Sequence, residues 1–173
     1  IETIQFHQSY SYEDFMQGYR PTETGGFKLK NGVFFNFCER AKEHPEKAFC
    51  FIIDEINRGN LSKIFGELML LIEKDKRGNS VILTYAESSD NKFSIPENVY
   101  LIGTMNTADR SLAMVDYALR RRFGFIPMTP QFDSPKFRAH LLGNNVPNTL
   151  VNKIIEKLTA LNSQISEEKK TLG

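Results

Sequence analysis

The chain has 173 residues, and its 22 Lys and Arg nearly balance its 21 Asp and Glu, so the formal net charge is +1. With 40% hydrophobic and 25% charged residues, the composition is that of a soluble globular domain and excludes a wholly disordered chain. A chain this close to neutrality is not a bulk electrostatic binder of nucleic acid, which leaves only a local basic patch for such contacts. The two cysteines, Cys38 and Cys50, lie in apolar runs and indicate no disulfide framework, so we expect a reducing, cytoplasmic compartment.

The first third of the chain contains a predicted hairpin, helix and strand. Residues 21–32 are polar and contain glycines, which predicts a loop or hairpin. Residues 33–42 carry apolar side chains at helical spacing before Pro45, which predicts a helix that ends there. Residues 49–53 (FCFII) are a continuous apolar run, typical of a strand that is buried on both faces of a parallel sheet.

The middle of the chain repeats this alternation. Asn60 is a candidate N-cap for a helix whose apolar face extends to Ile72. Residues 81–86 and 91–95 flank a polar tip and predict a hairpin, which we interpret as an insertion. Residues 99–103 (VYLIG) then predict a second buried strand.

The last third is predicted to be mainly helical. We expect a short helix over 112–120, a third strand over 123–128, and a helix that Ser134 caps and Pro135 opens. One face of a final amphipathic helix carries Leu150, Ile154, Ile155, Leu158, Leu161 and Ile165. Strands that alternate with helices predict an α/β fold with a mainly parallel sheet, in which ligands bind outside the carboxyl ends of the strands.

Polar side chains follow both predicted buried strands at those carboxyl ends. Asp54 and Glu55 follow the first strand, and Asn106 and Asp109 follow the second. In phosphoryl transfer, a carboxylate at such a strand end helps to hold Mg²⁺, and a second one can activate the attacking water. The alternative is that the carboxylate pair caps the next helix and marks a solvated turn.

The order of these motifs resembles the AAA+ nucleotide-hydrolysing motors, which carry a Walker B strand, a sensor strand and an arginine cluster. The resemblance is closest to the McrB family, the GTPase subunits of methylcytosine-dependent restriction systems. It runs from Phe6 to Gly173 and is carried by the segments FHQSYSYEDFMQGYRP, FIIDEINRGNLSK, PENVYLIGTMNTADRSLA and VDYALRRRF. MNTAD is distinctive of that family, whereas DEINR is shared with MoxR-like AAA+ proteins.

The resemblance implies an AAA+ type parallel sheet flanked by helices over residues 1–130. Residues 131–173 would lead into a helical lid. It further implies Mg²⁺ and GTP, a homo-oligomeric ring, expected to be a hexamer, and an McrC-like nuclease subunit as partner. GTP hydrolysis would drive translocation along DNA, which the complete assembly contacts. A separate N-terminal domain would recognise the modified base.

The same resemblance assigns roles to individual residues at the strand ends. Asp54 matches the Walker B Asp, expected to hold Mg²⁺ through water. Glu55 matches the catalytic Glu. Asn106 occupies the sensor position, and Thr107 and Asp109 complete the NTAD motif of the nucleotide site.

Arg121 and Arg122 fall where the family presents arginines to a neighbouring subunit, and Asp116 would orient one of them. A guanidinium there can neutralise charge that develops on the transferred phosphoryl group. Two alternatives remain for the triplet that Arg120 begins: cations that stabilise a helix end, or a phosphate-binding patch for nucleic acid.

The Walker A pattern G-x-x-x-x-G-K-[ST] does not occur in the 173 residues; Gly25 and Gly26 lack its spacing. We expect the loop to lie upstream of Ile1 and the lid to continue past Gly173. These residues alone should therefore bind nucleotide weakly or not at all, and be inactive. His7, His44 and His140 are far apart and have no metal-ligand spacing.

Two other functions stay open. The first is a MoxR-like ATPase that acts as a chaperone, which shares DEINR but is expected to differ from MNTAD at the sensor strand. The second is an assembly domain that keeps the fold without hydrolysis, against which the joint presence of the carboxylates, Asn106 and the arginines argues.

Overall fold

The computed structural model describes residues 1–106 and 120–171. The chain forms two compact units, Ile1–Gly124 and Phe125–Gly173. The predicted helix over 112–120 lies almost wholly outside the described residues. The predicted boundary at residue 130 stays a prediction.

The described strands, in chain order, are β1 Glu2–Gln5, β2 Gln17–Pro21, β3 Phe27–Asn31, β4 Phe49–Asp54, β5 Val81–Ile82, β6 Lys92–Phe93 and β7 Val99–Gly103. The described helices are α1 Tyr12–Phe15, α2 Val33–Glu43, α3 Leu61–Phe65, α4 Leu68–Ile72, α5 Pro135–Gly143 and α6 Asn148–Thr171, with short 3-10 helices at Ile56–Arg58 and Lys74–Lys76.

The central sheet has the order β1-β4-β7, and both pairings are parallel. The two strands predicted from continuous apolar runs, β4 and β7, are therefore confirmed as strands, as is the α/β fold. The predicted burial of β7 is wrong for one of its faces, because Tyr100 and Ile102 are 58% and 48% exposed. β4 lies in the middle, and its Phe51 and Ile53 side chains are fully buried. β1 was not predicted, because ETIQ is not a continuous apolar run. Its residues alternate between partly buried and exposed, as expected for an edge strand.

The third predicted strand, over 123–128, is wrong. The described structure has no strand there, and Ile126 and Met128 are 83% and 92% exposed. Gly124 and Pro127 interrupt this apolar run, and proline lacks the N–H that a sheet partner would need.

The helix predicted after Asn60 begins where expected but breaks in the middle. The Asn60 side chain accepts a hydrogen bond from the Lys63 amide and so caps α3. Gly66 then adopts φ of +50°, a left-handed conformation that glycine tolerates, and α4 starts two residues later. The apolar face is thus confirmed, but two short helices carry it.

Both predicted hairpins form, with different lengths. β2 and β3 pair over five residues each, whereas β5 and β6 pair over only two. The second hairpin is shorter than predicted because its next residues bond elsewhere: the Thr84 amide donates to Glu67, and the Tyr85 hydroxyl donates to Glu13.

An aromatic cluster forms the core beneath the sheet. Phe15 is fully buried, and its ring lies 4.8 Å from Phe34 and 5.0 Å from Phe65, measured between ring centroids. Phe6 and Phe51 contact the same ring at 5.8 and 6.0 Å. The segment around Phe15 is therefore part of the packed core.

Replacing Phe15 with Ala is expected to lower the free energy of unfolding by about 3–5 kcal/mol, because the core loses the buried ring and keeps a cavity. Chemical denaturation measures this loss as a lower transition midpoint. Phe27→Ala is the matched control, because the Phe27 side chain is 74% exposed and its loss should leave the midpoint unchanged. Equal shifts for the two variants would contradict this packing.

The unit Phe125–Gly173 contains the two helices predicted near the end of the chain. Ser134 accepts a hydrogen bond from the Phe137 amide and caps α5, with Pro135 at its first position. Arg138 joins α5 to α6 through bonds of 3.1 and 2.7 Å to Asn148 and Asn152. None of the described helices combines the length and the apolarity that crossing a membrane requires.

Candidate functional site

The carboxyl ends of the three parallel strands bring the predicted residues to one edge of the sheet. Asp54 is the last residue of β4 and lies opposite Gln5 of β1. Ile53 lies opposite Gly103, so the chain that leaves β7 passes directly beside Asp54. The predicted juxtaposition of the two strand ends is therefore present.

Thr104 holds the Asp54 carboxylate in place. The Thr104 hydroxyl donates a hydrogen bond to Asp54 Oδ1, and its amide donates to the Ile53 carbonyl at 2.9 Å. Its own carbonyl accepts from the Ile56 amide, also at 2.9 Å. Thr104 has no predicted role in the sequence, although the parallel register of the two strands places it beside Asp54.

Glu55 occupies a strained backbone position at the same edge. Its φ and ψ are 51° and 44°, in the left-handed region that non-glycine residues rarely adopt. Such a conformation costs about 1–3 kcal/mol and is concentrated at functional sites. This conformation lies between the end of β4 at Asp54 and the 3-10 helix that begins at Ile56.

Arg58 is the ion-pair partner of Glu55. Its Nε donates to Glu55 Oε2 at 3.2 Å, and the Glu55 side chain is only 20% exposed. Between them, Asn57 Oδ1 is buried with no hydrogen-bond donor among the residues that the structure describes. A buried acceptor without a partner is costly, and here it lies within the same 3-10 turn. Neither Arg58 nor Asn57 was singled out from the sequence.

The sensor segment is described only in part. Asn106 lies three residues after β7 and two residues after Thr104, and it is exposed. Thr107, Asp109 and Asp116, which the resemblance also places at this site, lie outside the described residues.

The three arginines at 120–122 differ in exposure: the first two are exposed, and the third is held by contacts. Arg120 and Arg121 are exposed. Arg122 is only 15% exposed, and its guanidinium contacts Glu73 and the Met69 carbonyl. The two neighbouring arginines that the sequence groups together therefore have different surroundings.

The donor set at the sheet edge suits a hard cation. Asp54, Glu55 and Thr104 offer oxygen atoms, which Mg²⁺ prefers. Across residues 1–106 and 120–171, no group of three His, Cys, Asp or Glu residues could enclose a metal ion. One carboxylate beside an open edge nevertheless fits Mg²⁺, which usually keeps several waters and binds through one or two carboxylates and substrate phosphates.

Comparison with known proteins gives a family and two relatives. The family model of the AAA domain (dynein-related subfamily) matches residues 1–123. The chain is 59% identical, over its whole length, to the type IV methyl-directed restriction enzyme EcoKMcrB subunit of Escherichia coli K12, and it covers 38% of that protein. This match confirms the resemblance to McrB that the four motifs indicated.

A second relative also comes from a restriction system. Over 68% of its length the chain is 28% identical to the type II restriction enzyme BsuMI component YdiS of Bacillus subtilis, covering 37% of that protein. The chain thus spans less than two fifths of either curated relative.

Among solved structures, a protein from Cytophaga hutchinsonii proposed to be an ATPase aligns with 91% of the chain and 45% of its own, at 15% identity and a TM-score of 0.44. That likeness is too weak to support an inference.

Proposed function

Because the chain belongs to the AAA domain family (dynein-related subfamily), we propose that it is the central part of a GTP-hydrolysing motor subunit of a methylcytosine-dependent restriction system. The observation that carries the proposal is the sheet edge itself. Asp54 ends the central parallel strand, Thr104 holds its carboxylate, and Glu55 follows in a strained turn. The similarity to the Escherichia coli McrB subunit supports the restriction system as its setting.

Asp54 holds Mg²⁺ through water in this proposal, and Thr104 keeps its carboxylate oriented toward the open edge. Mg²⁺, if bound there with GTP, would supply positive charge that offsets the charge developing on the transferred phosphoryl group. Thr104→Val would keep the shape of the side chain and remove the hydrogen bond to Asp54.

Glu55 accepts a proton from the attacking water. Its Oε2 atom is paired with Arg58 at 3.2 Å, so Arg58 holds the carboxylate in a defined position. Asn106 orients the same water or contacts the terminal phosphate, and Thr107 and Asp109 complete that side of the site. The phosphate loop is supplied by another part of the protein, because its pattern does not occur in these residues.

The site is completed by an arginine from the neighbouring subunit of a ring, which we expect to be a hexamer. Arg121 is exposed, and the Arg122 guanidinium contacts Glu73 and the Met69 carbonyl within its own unit. Of these two arginines, the more exposed Arg121 is the one that reaches the neighbour's phosphates, and Asp116 helps to orient it. Arg122 serves as an anchor.

The two units have separate tasks in this proposal. Residues 1–130 form the hydrolytic core, and residues 131–173 lead into a helical lid. The division of the chain between Gly124 and Phe125 supports a boundary close to residue 130.

GTP hydrolysis drives translocation along DNA in the cytoplasm, and an McrC-like nuclease subunit cuts. The direct test combines the full-length protein with that partner and measures cleavage of DNA with and without methylcytosine. Cleavage should require both methylcytosine and GTP. Cleavage that is equal on unmethylated DNA, or that proceeds without nucleotide, would contradict the proposed function.

A further inference from the structure

Two directed contacts hold Arg122 against the end of α4. Its Nε donates to the Met69 carbonyl oxygen at 2.7 Å, and its Nη2 lies 2.7 Å from Glu73 Oε1. The Arg122 side chain is 15% exposed and that of Glu73 is 32% exposed, so solvent screens this pair only in part. A guanidinium that is held in two directions has a fixed position and plane.

The contacts of Arg122 also restrain the backbone of its neighbour. Arg121 is exposed and precedes Arg122 by one planar peptide unit, so the anchor on Arg122 restrains the point from which the Arg121 side chain starts. Both arginines line an open cleft of about 760 Å³ together with Glu73 and Asp75. Arg121 is thus presented at a surface, while Arg122 faces its own unit.

The element that carries the anchor is itself rigid. Leu68 and Leu71 of α4 are 0% and 1% exposed within the hydrophobic core, and Glu73 is the residue directly after this helix. A side chain supported by a packed helix is placed more accurately than one on a free loop. Glu73 therefore connects the core that carries β4 to the arginine segment.

We propose that Glu73 is a positioning residue for hydrolysis between subunits: it clamps Arg122 to the end of α4 and thereby places Arg121 at the nucleotide of the neighbouring subunit. This inference rests on the proposed function. It assigns a role to a residue outside the AAA+ motifs, on the subunit that donates the arginine.

The first test is steady-state GTP hydrolysis by the full-length protein with its partner nuclease subunit. Glu73→Ala is expected to lower kcat by about 100-fold with little change in KM, because a misplacement of about 1 Å is enough for such a loss. Asp75→Ala is the matched control, since Asp75 lines the same cleft, is 72% exposed and should keep the wild-type rate. An unchanged kcat for Glu73→Ala, or a loss confined to KM, would overturn the proposal.

The second test mixes two variants in one ring. Glu73→Ala subunits keep Asp54 and Glu55 at their own sheet edge, and Glu55→Gln subunits keep a correctly placed Arg121. If Glu73 acts on the neighbour's site, mixing the two variants restores hydrolysis above that of either alone. If Glu73 only stabilises its own subunit, mixing restores nothing and the proposal fails.

The third test uses the coupling of the two side chains. The double variant Glu73→Ala, Arg122→Ala should lose no more activity than either single variant, because both changes remove the same anchor. Losses that multiply would overturn the proposal. Absence of GTP hydrolysis in the wild-type complex would instead overturn the proposed function, and this inference with it.

Discussion

Replacing Glu55 with Gln in the full-length protein is expected to lower GTP hydrolysis by about 10²- to 10⁴-fold, the usual contribution of a general base. The amide keeps the size of the side chain but cannot take a proton from water. Because the Asp54 carboxylate and its bond from Thr104 are untouched, nucleotide binding should be retained. Phosphate release measures the first quantity, and titration with a fluorescent nucleotide measures the second.

The control for this variant is Glu87→Gln, an equal change at an exposed residue of the hairpin tip. It should hydrolyse GTP at the wild-type rate. Wild-type hydrolysis by Glu55→Gln would contradict the role of Glu55. A Glu55→Gln variant that loses nucleotide binding together with hydrolysis would show that Glu55 contributes to nucleotide binding and not to proton transfer from water.

Replacing Arg121 with Ala is expected to lower hydrolysis by about 10³-fold, at the lower end of what arginine fingers contribute. The neighbour's transition state loses a cation, while the variant's own carboxylate edge is unchanged. Nucleotide affinity should therefore change little. Lys28→Ala, which removes an exposed cation from β3, provides the control and should have wild-type activity.

Arg122→Ala should be distinguishable from Arg121→Ala by stability. Removing Arg122 leaves the partly buried Glu73 carboxylate without its partner, so the unfolding midpoint should fall together with activity. Arg121→Ala should leave that midpoint unchanged. A loss of hydrolysis that occurs only in Arg120→Ala would contradict the assignment of Arg121.

The position of the carboxylate edge could be predicted from the sequence because its determinants are local. The runs FCFII and VYLIG are long enough and apolar enough to predict buried parallel strands, and Asp54 and Glu55 follow directly. Parallel strands end at one edge of a sheet, so the meeting of Asp54 with the chain after β7 followed from topology.

The contacts that shape the site could not be predicted in the same way. Thr104 bonds to Asp54 across fifty residues of chain, and Arg122 bonds to Met69 across fifty-three. Such pairs depend on strand register and helix placement, which no spacing within one segment encodes. The strained backbone of Glu55 likewise results from the turn that leaves β4 and has no signature of its own in the sequence.

Strand pairing explains both differences between the predicted and the observed strands. The apolar residues over 123–128 predict a strand, but hydrophobicity alone does not provide a neighbouring strand to pair with. β1 showed the reverse case: a weak pattern, ETIQ, became a strand because β4 offers its edge over four residues. Pairing in three dimensions decided both outcomes.

The most direct measurement is phosphate release by the full-length protein with its partner, supplied with GTP or with ATP in parallel. We expect release from GTP and none above background from ATP, as for a motor of the McrB type. Release from ATP at a comparable or higher rate would contradict the GTPase assignment and favour a MoxR-like ATPase. No release from either nucleotide would contradict hydrolysis at the Asp54 edge and leave an assembly domain.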